Sequence, residues 1–200
     1  MIHENKKSVF IHIPKVGGMS VNSVLNKLGF RKYTLNVDYA HHAKNCDRGR
    51  YKQIQSEYND DLSNYFKFTF IRNPWDRFVS IYHYLLNTTF CFKDKIDINE
   101  FARTIFLTKN NHCKWHCLPQ YFHLLDEYNN LNIDFIGRFE NLQQDFNFVC
   151  DKIRTPQQQL PHENATNHKH YTEYYDDETK QIVSEKYAKD IEYFGYEFGE

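Results

Sequence analysis

Near the start of the chain, His12-Ile13-Pro14-Lys15-Val16-Gly17-Gly18-Met19-Ser20 combines the groups that hold a phosphate or sulfate. Paired glycines let the backbone approach an anion closely. A helix opening just after them presents free N–H groups and the positive end of its dipole. Lys15 adds a mobile point charge and Ser20 a hydroxyl donor. The order is wrong for a nucleotide triphosphatase loop, in which the lysine follows the last glycine and a Ser or Thr comes next to hold magnesium. Here Lys15 precedes Gly17 by two residues, and no Gly-Lys-Ser/Thr occurs in the chain. A plain strand-to-helix turn with a solvated lysine would look the same locally.

A second group lies in Ile71-Arg72-Asn73-Pro74-Trp75-Asp76-Arg77-Phe78-Val79-Ser80. An arginine at the carboxyl end of a strand sits where open α/β sheets bind ligands, and its fork can clamp a phosphate with two parallel hydrogen bonds. Ser80, about two turns into the following helix, could share that phosphate. Arg72 paired with Asp76, and Ser80 merely exposed, is the competing arrangement. His112-Cys113-Lys114-Trp115-His116-Cys117 holds metal-ligating residue types, but the second, distant ligand pair of a zinc site is missing. No metal is expected.

These groups need elements to position them. Val9–Ile13 and Phe66–Ile71 are apolar runs that read as buried strands, with a third candidate over Ile133–Ile136. Apolar residues at 21, 24, 25 and 28 predict a helix over Ser20–Leu28 that stops at Gly29. Asn73 and Pro74 suit the cap and first position of a helix with the stripe Trp75, Phe78, Val79, Tyr82, Leu85 and Leu86. Further helices are expected over Arg50–Leu62, Ile98–Leu107, Asn141–Ile153 and Asp177–Tyr193, with a polar loop over Thr155–His170. Strands alternating with helices suggest an α/β domain with a mainly parallel central sheet flanked by helices.

The 200 residues suit a single domain, 1–200, and 17% aromatics support a real core. A net charge of −1 excludes a general nucleic-acid or polyanion binder, so any basic site is local. No apolar window approaches a membrane span and no signal-peptide core precedes the first strand, so a soluble, cytoplasmic chain is expected. Five scattered cysteines argue against a disulfide framework. Oligomeric state is not readable.

Phe10–Ser20 and Phe70–Ser80, taken together, resemble the two signatures with which the sulfotransferase superfamily binds 3′-phosphoadenosine-5′-phosphosulfate (PAPS). The similarity is strongest to the carbohydrate branch, which includes heparan 2-O- and chondroitin-type enzymes. It extends to Pro119-Gln120-Tyr121-Phe122, to Ile136-Gly137-Arg138-Phe139-Glu140-Asn141-Leu142 and to Asp190–Tyr196, in the expected order. The resemblance implies a three-layer P-loop-like fold and an enzyme that transfers a sulfuryl group from PAPS to a hydroxyl, releasing PAP. The acceptor would be a glycan or small molecule. Lys15 would contact the phosphosulfate and its bridging oxygen. Gly17, Gly18, Met19 and Ser20 would hold the 5′-phosphate, and Arg72 and Ser80 the 3′-phosphate. Arg138 could reach the nucleotide, or pair with Glu140 or Asp134. The resemblance also implies a histidine or glutamate general base between the two signatures. His42 is the first choice, then His41, with Glu57 outside them. The loop departs from the family's Thr-Ala-Gly-Thr, losing two hydroxyls. A non-catalytic nucleotide-binding homologue, or a kinase or NTPase with a degenerate loop, is the alternative.

Overall fold

The structure is a computed structural model that describes residues 1–31, 49–58, 61–88, 92, 96–161 and 169–200. These residues fall into two compact units. One comprises 1–31, 49–58, 61–72 and 122–161, and the other the described residues of 73–121 together with 169–200.

The first unit is built on a four-stranded sheet in the order β1-β2-β3-β4: Ile2–His3, Ser8–Phe10, Phe66–Ile71 and Phe135–Arg138. β1 runs antiparallel to β2, and β2, β3 and β4 are parallel. Phe68 and Phe70 on β3 are fully buried and so is Thr69 between them, the continuous burial expected of a parallel strand covered by other elements. β2 is shorter than its apolar run. Ile11 and Ile13 are fully buried and the Ile11 N–H still reaches the Phe68 carbonyl, but the Ile11 carbonyl accepts from the Thr69 hydroxyl at 2.7 Å instead of continuing the ladder. The third strand lies two residues later than its predicted span because the Asp134 carboxylate caps the Lys67 N–H and pairs with the Lys67 ammonium at 3.2 Å.

Helices α1 (Gly18–Lys27) and α2 (Arg50–Glu57) follow β2. Leu28 closes α1, and Gly29 after it is left-handed at φ 88°, the stop expected there. After β4, a short 3-10 turn over Phe139–Asn141 leads into α7 (Leu142–Lys152), which lies on β4. Gly137 makes that approach possible: a Cβ there would meet the Phe70 ring at 2.6 Å and Asp145 Cβ at 3.1 Å.

The second unit contains α3 (Pro74–Thr88), α4 (Ile98–Ile105), α5 (Asn111–His116), the first residues of α6 (Gln120–Leu124), α8 (Asp177–Lys186) and α9 (Ala188–Phe194). Asn73 caps α3 as expected, its Oδ1 accepting from the Trp75 N–H at 3.1 Å. The single helix expected over Asp177–Tyr193 is two helices, broken at the fully buried Tyr187. Cys113 is disulfide-bonded, which the scattered spacing of the cysteines does not predict, while Cys117 and Cys150 are free and buried. No described helix is long and apolar enough to cross a membrane.

Candidate functional site

The glycine loop turns sharply between β2 and α1. Lys15 has φ 70° and Gly17 φ 76°, both left-handed. Glycine takes that conformation freely, whereas a lysine holds it at a cost of order 1–3 kcal/mol and needs surroundings that fix it. Gly17 is the N-cap of α1. A glycine cap has no side chain to accept from the opening amides, and the first turn contains no acidic residue. The helix therefore offers its N–H groups and dipole to an external anion. Gly18 and Ser20 are buried at this opening, Met19 is exposed, and Lys15 is half-buried.

Arg72 follows the last residue of β3 and is 8% exposed. Its Nη1 donates to the Lys15 carbonyl at 3.4 Å, and its guanidinium lies 4.1 Å over the Phe139 ring. The arginine and the lysine from the two chemically suggestive segments thus meet in one place, and Arg72 helps hold the strained backbone. Phe139 and Leu142 press on the other side of the loop: a Cβ on Gly17 would meet them at 3.1 Å and 2.7 Å. Gly17→Ala is expected to cost roughly 1–3 kcal/mol through clash and strain. Thermal unfolding should show it as a fall of roughly 2–12 °C in Tm. Arg138 ends β4 in register with Ile71, so Arg72 and Arg138 occupy the carboxyl ends of neighbouring parallel strands. The Arg138 N–H is held by Asp145 Oδ2 at 2.6 Å.

A profile described as the sulfotransferase family matches residues 1–197. The chain belongs to the sulfotransferase family. It is also 33% identical, over 97 residues, to an uncharacterized protein of Archaeoglobus fulgidus, an overlap of 48% of this chain and 74% of that protein. No solved structure matches significantly.

Within this sulfotransferase, two neighbours of the loop, Phe139 and Arg50, escape sequence reasoning. Phe139 lies in the segment Gly-Arg-Phe-Glu-Asn, where an aromatic directly after a strand-end arginine is the available signal. Arg50, 7% exposed, donates Nε to the His12 carbonyl at 3.3 Å and Nη1 to Gln53 Oε1 at 3.4 Å. Nothing local in a polar helix announces that. His12, read as a strand histidine, lies beyond the end of β2 and bonds to α1 through Asn22. Ser80 lies half-buried on α3 in the second unit. His41 and His42 lie outside the described residues, as do residues 162–168 of the polar loop. Glu57 is exposed at the end of α2, and partial desolvation pushes its carboxyl up against an opposing pull from Arg50.

In the second unit, three further segments of the sulfotransferase pattern meet for structural reasons. Arg77 is fully buried, and its Nη2 donates to the His116 and Leu118 carbonyls at 3.0 Å each. Its guanidinium lies 5.7 Å from the centre of the Tyr187 ring, and the Tyr187 hydroxyl donates to the Cys117 carbonyl. Asp190, also fully buried, accepts from the Gln120 and Tyr121 N–H groups at 2.7 and 2.8 Å, capping α6 from 70 residues away. His112 and His116, the would-be metal ligands, pack with tilted rings, centroids 4.4 Å apart, beside Tyr84.

Proposed function

We propose that this sulfotransferase moves a sulfuryl group from PAPS to an acceptor hydroxyl, on a carbohydrate, by in-line transfer within one P-loop-like, three-layer domain. The observation that supports this most directly is the bond from Arg72 to the Lys15 carbonyl, which joins a strand-end arginine to the mouth of an uncapped glycine loop. PAPS supplies a sulfur bonded to the bridging oxygen of its phosphosulfate. The acceptor oxygen bonds to that sulfur as the bond to the bridging oxygen breaks, and PAP leaves with the electron pair. Lys15 stabilises the charge that grows on the bridging oxygen. The amides of Gly17, Gly18 and Met19, with the Ser20 hydroxyl, hold the 5′-phosphate in line. Arg72 and Ser80 read the 3′-phosphate, and Arg138 contacts the nucleotide. The acceptor proton passes to a histidine, His42 or His41.

Thermal unfolding with PAP, with ADP as control, tests the 3′-phosphate reading. PAP at about 100 times its dissociation constant should add roughly 2.7 kcal/mol, a shift of roughly 5–11 °C. ADP should do much less, and Arg72→Ala should weaken PAP binding roughly 10–100-fold and remove the difference. Equal shifts from PAP and ADP would remove Arg72 as the 3′-phosphate reader, and no shift from either would remove PAPS as the donor.

A further inference from the structure

In the second unit, Glu197-Phe198-Gly199-Glu200 lies against its surroundings as a bound peptide would. The Phe198 ring sits among Trp75 in the first turn of α3, Tyr171 in a 3-10 turn over Tyr171–Tyr174, and Tyr175 just after that turn. Its centroid lies 5.5, 5.6 and 5.5 Å from theirs, at interplanar angles of 85°, 85° and 88°. All three contacts are edge-to-face, so positive ring edges meet negative faces. The Lys180 ammonium from α8 lies 4.2 Å from the Phe198 centroid, a cation over the ring. The walls of this box are tied to one another and not to Phe198. The Tyr175 hydroxyl donates to the Trp75 carbonyl at 2.8 Å, and Trp75 Nε1 donates to the Lys180 carbonyl at 3.4 Å.

Among the described residues, every hydrogen bond from residues 197–200 to the rest of the unit goes to a side chain. Asn73 Nδ2 donates to the Glu197 carbonyl at 2.9 Å. The Gly199 N–H donates to the Tyr171 hydroxyl at 2.6 Å, and that hydroxyl donates to the Glu200 carbonyl at 3.1 Å. Gly199 has φ 103°, a turn that favours glycine and lets both groups reach one hydroxyl. Phe198 is half-buried and the other three residues are exposed. Tyr196, 3% exposed, anchors the chain just before them. Asn73 caps α3 through its Oδ1, a bond that does not involve the tail. Departure of residues 197–200 therefore breaks ring contacts and three hydrogen bonds but interrupts no strand or helix.

We propose that the Trp75, Tyr171 and Tyr175 box is a docking site for a partner protein's segment carrying Phe followed by Gly, and that Phe198-Gly199 is its occupant in cis. The recognition pattern is the one the tail displays. The aromatic ring fills the box, the residue before it offers a carbonyl to Asn73, and the glycine turns its N–H to Tyr171. A second copy of this chain does not supply the segment. Two residues beyond Tyr196 extend at most about 7 Å, so its Phe198 could reach another box only by unseating Tyr196. A segment on a different protein has no such tether. The tail competes at an effective concentration of order millimolar, so it sets the threshold a partner must exceed. The docking site is independent of which donor the glycine loop holds.

The experiment titrates the whole chain with the capped peptide Glu-Phe-Gly-Glu, with Glu-Ala-Gly-Glu as control. Phe198→Ala vacates the box and should lower Tm by roughly 2–8 °C. That variant should bind the Phe peptide about tenfold or more tighter than wild type does, because its own tail no longer competes. It should not bind the control. Hydrogen exchange on the wild type gives a measurement that needs no variant. The Gly199 amide should exchange roughly 100-fold faster than the Arg77 and Tyr187 amides inside helical bonds, and excess Phe peptide should speed it further. A folded Phe198→Ala chain that ignores the Phe peptide overturns the proposal, and so does equal binding of the two peptides. A Gly199 amide as slow as those of Arg77 and Tyr187 makes the tail part of the core and overturns it whether or not the variant folds. Wild-type dimers that Phe198→Ala abolishes would place a second copy's tail in the box and overturn the choice of partner.

Discussion

Replacing Lys15 with alanine should lower PAP release from PAPS by roughly 10²–10³-fold while changing PAP affinity by no more than about tenfold. The asymmetry follows from the proposed reaction, in which the ammonium acts on the bridging oxygen. The bridging oxygen shares its charge in bound PAPS and bears much more of it as the bond to sulfur breaks, so the interaction strengthens toward the transition state. The alanine variant isolates the side chain, because any L-residue at this position would share the φ of 70° and the carbonyl bond to Arg72. Lys15→Gly gives the complementary measurement: it lacks the ammonium but relaxes the backbone, so it should unfold at a higher temperature than Lys15→Ala while being equally slow. PAP formation at saturating PAPS and PAP binding by calorimetry are the two measurements. If affinity falls as far as turnover, Lys15 binds the ground state and does not stabilise the leaving group.

Asp190→Ala is expected to cost about 3–5 kcal/mol, because it removes the acceptor of two buried N–H groups and a buried charge beside Arg77. For a chain of this size the fall in Tm would be roughly 6–20 °C. Asp190→Asn keeps an acceptor oxygen and should cost less. It should also change the pH profile. Burial pushes the Asp190 carboxyl up to about 6, against the opposing pull of the Tyr121 N–H, Arg77 and the Gln120 N–H. An unfolded aspartate titrates near 4, so between about pH 4 and pH 6 the folded chain holds the extra proton. The contribution of this residue to stability is therefore greatest below that window, declines as pH rises through it, and is constant above it. The difference between wild-type and Asp190→Asn melting curves across pH should show that decline; a flat difference would mean the two N–H bonds and Arg77 balance burial, and a rise with pH that they outweigh it.

The same residues show which parts of the molecule local sequence can reveal. β3 spans Phe66–Ile71 as predicted, since an unbroken apolar run that ends before an Asn-Pro cap has few other readings. The loop's lysine, glycines and strand-end arginine were legible as residue types in order. Their meeting was not, because the bond from Arg72 joins residues 57 apart and the Phe139 stack comes from a third segment. β1 has only two residues, too few for a periodic signal. The break between α8 and α9 has no Gly or Pro to mark it; it falls at Tyr187, whose hydroxyl is tied to Cys117. α5 and α6 were missed because they are short, and the acceptor that caps α6 is Asp190, invisible to any local window. At Tyr187 and at α6 the deciding force is one tertiary contact overriding weak local preference.

The recessed position of Arg72 has a consequence for ionic strength. Mobile ions screen a charge they can surround, and a guanidinium 8% exposed beneath an aromatic ring is largely shielded from them. With a net charge of −1 the chain adds little long-range field of its own, so the proposed site would receive anions without steering from a distance. On the proposed reading, recognition depends on short-range geometry that persists in concentrated salt. A protein that gathered anions with a broad sheet of surface lysines would release them under the same conditions.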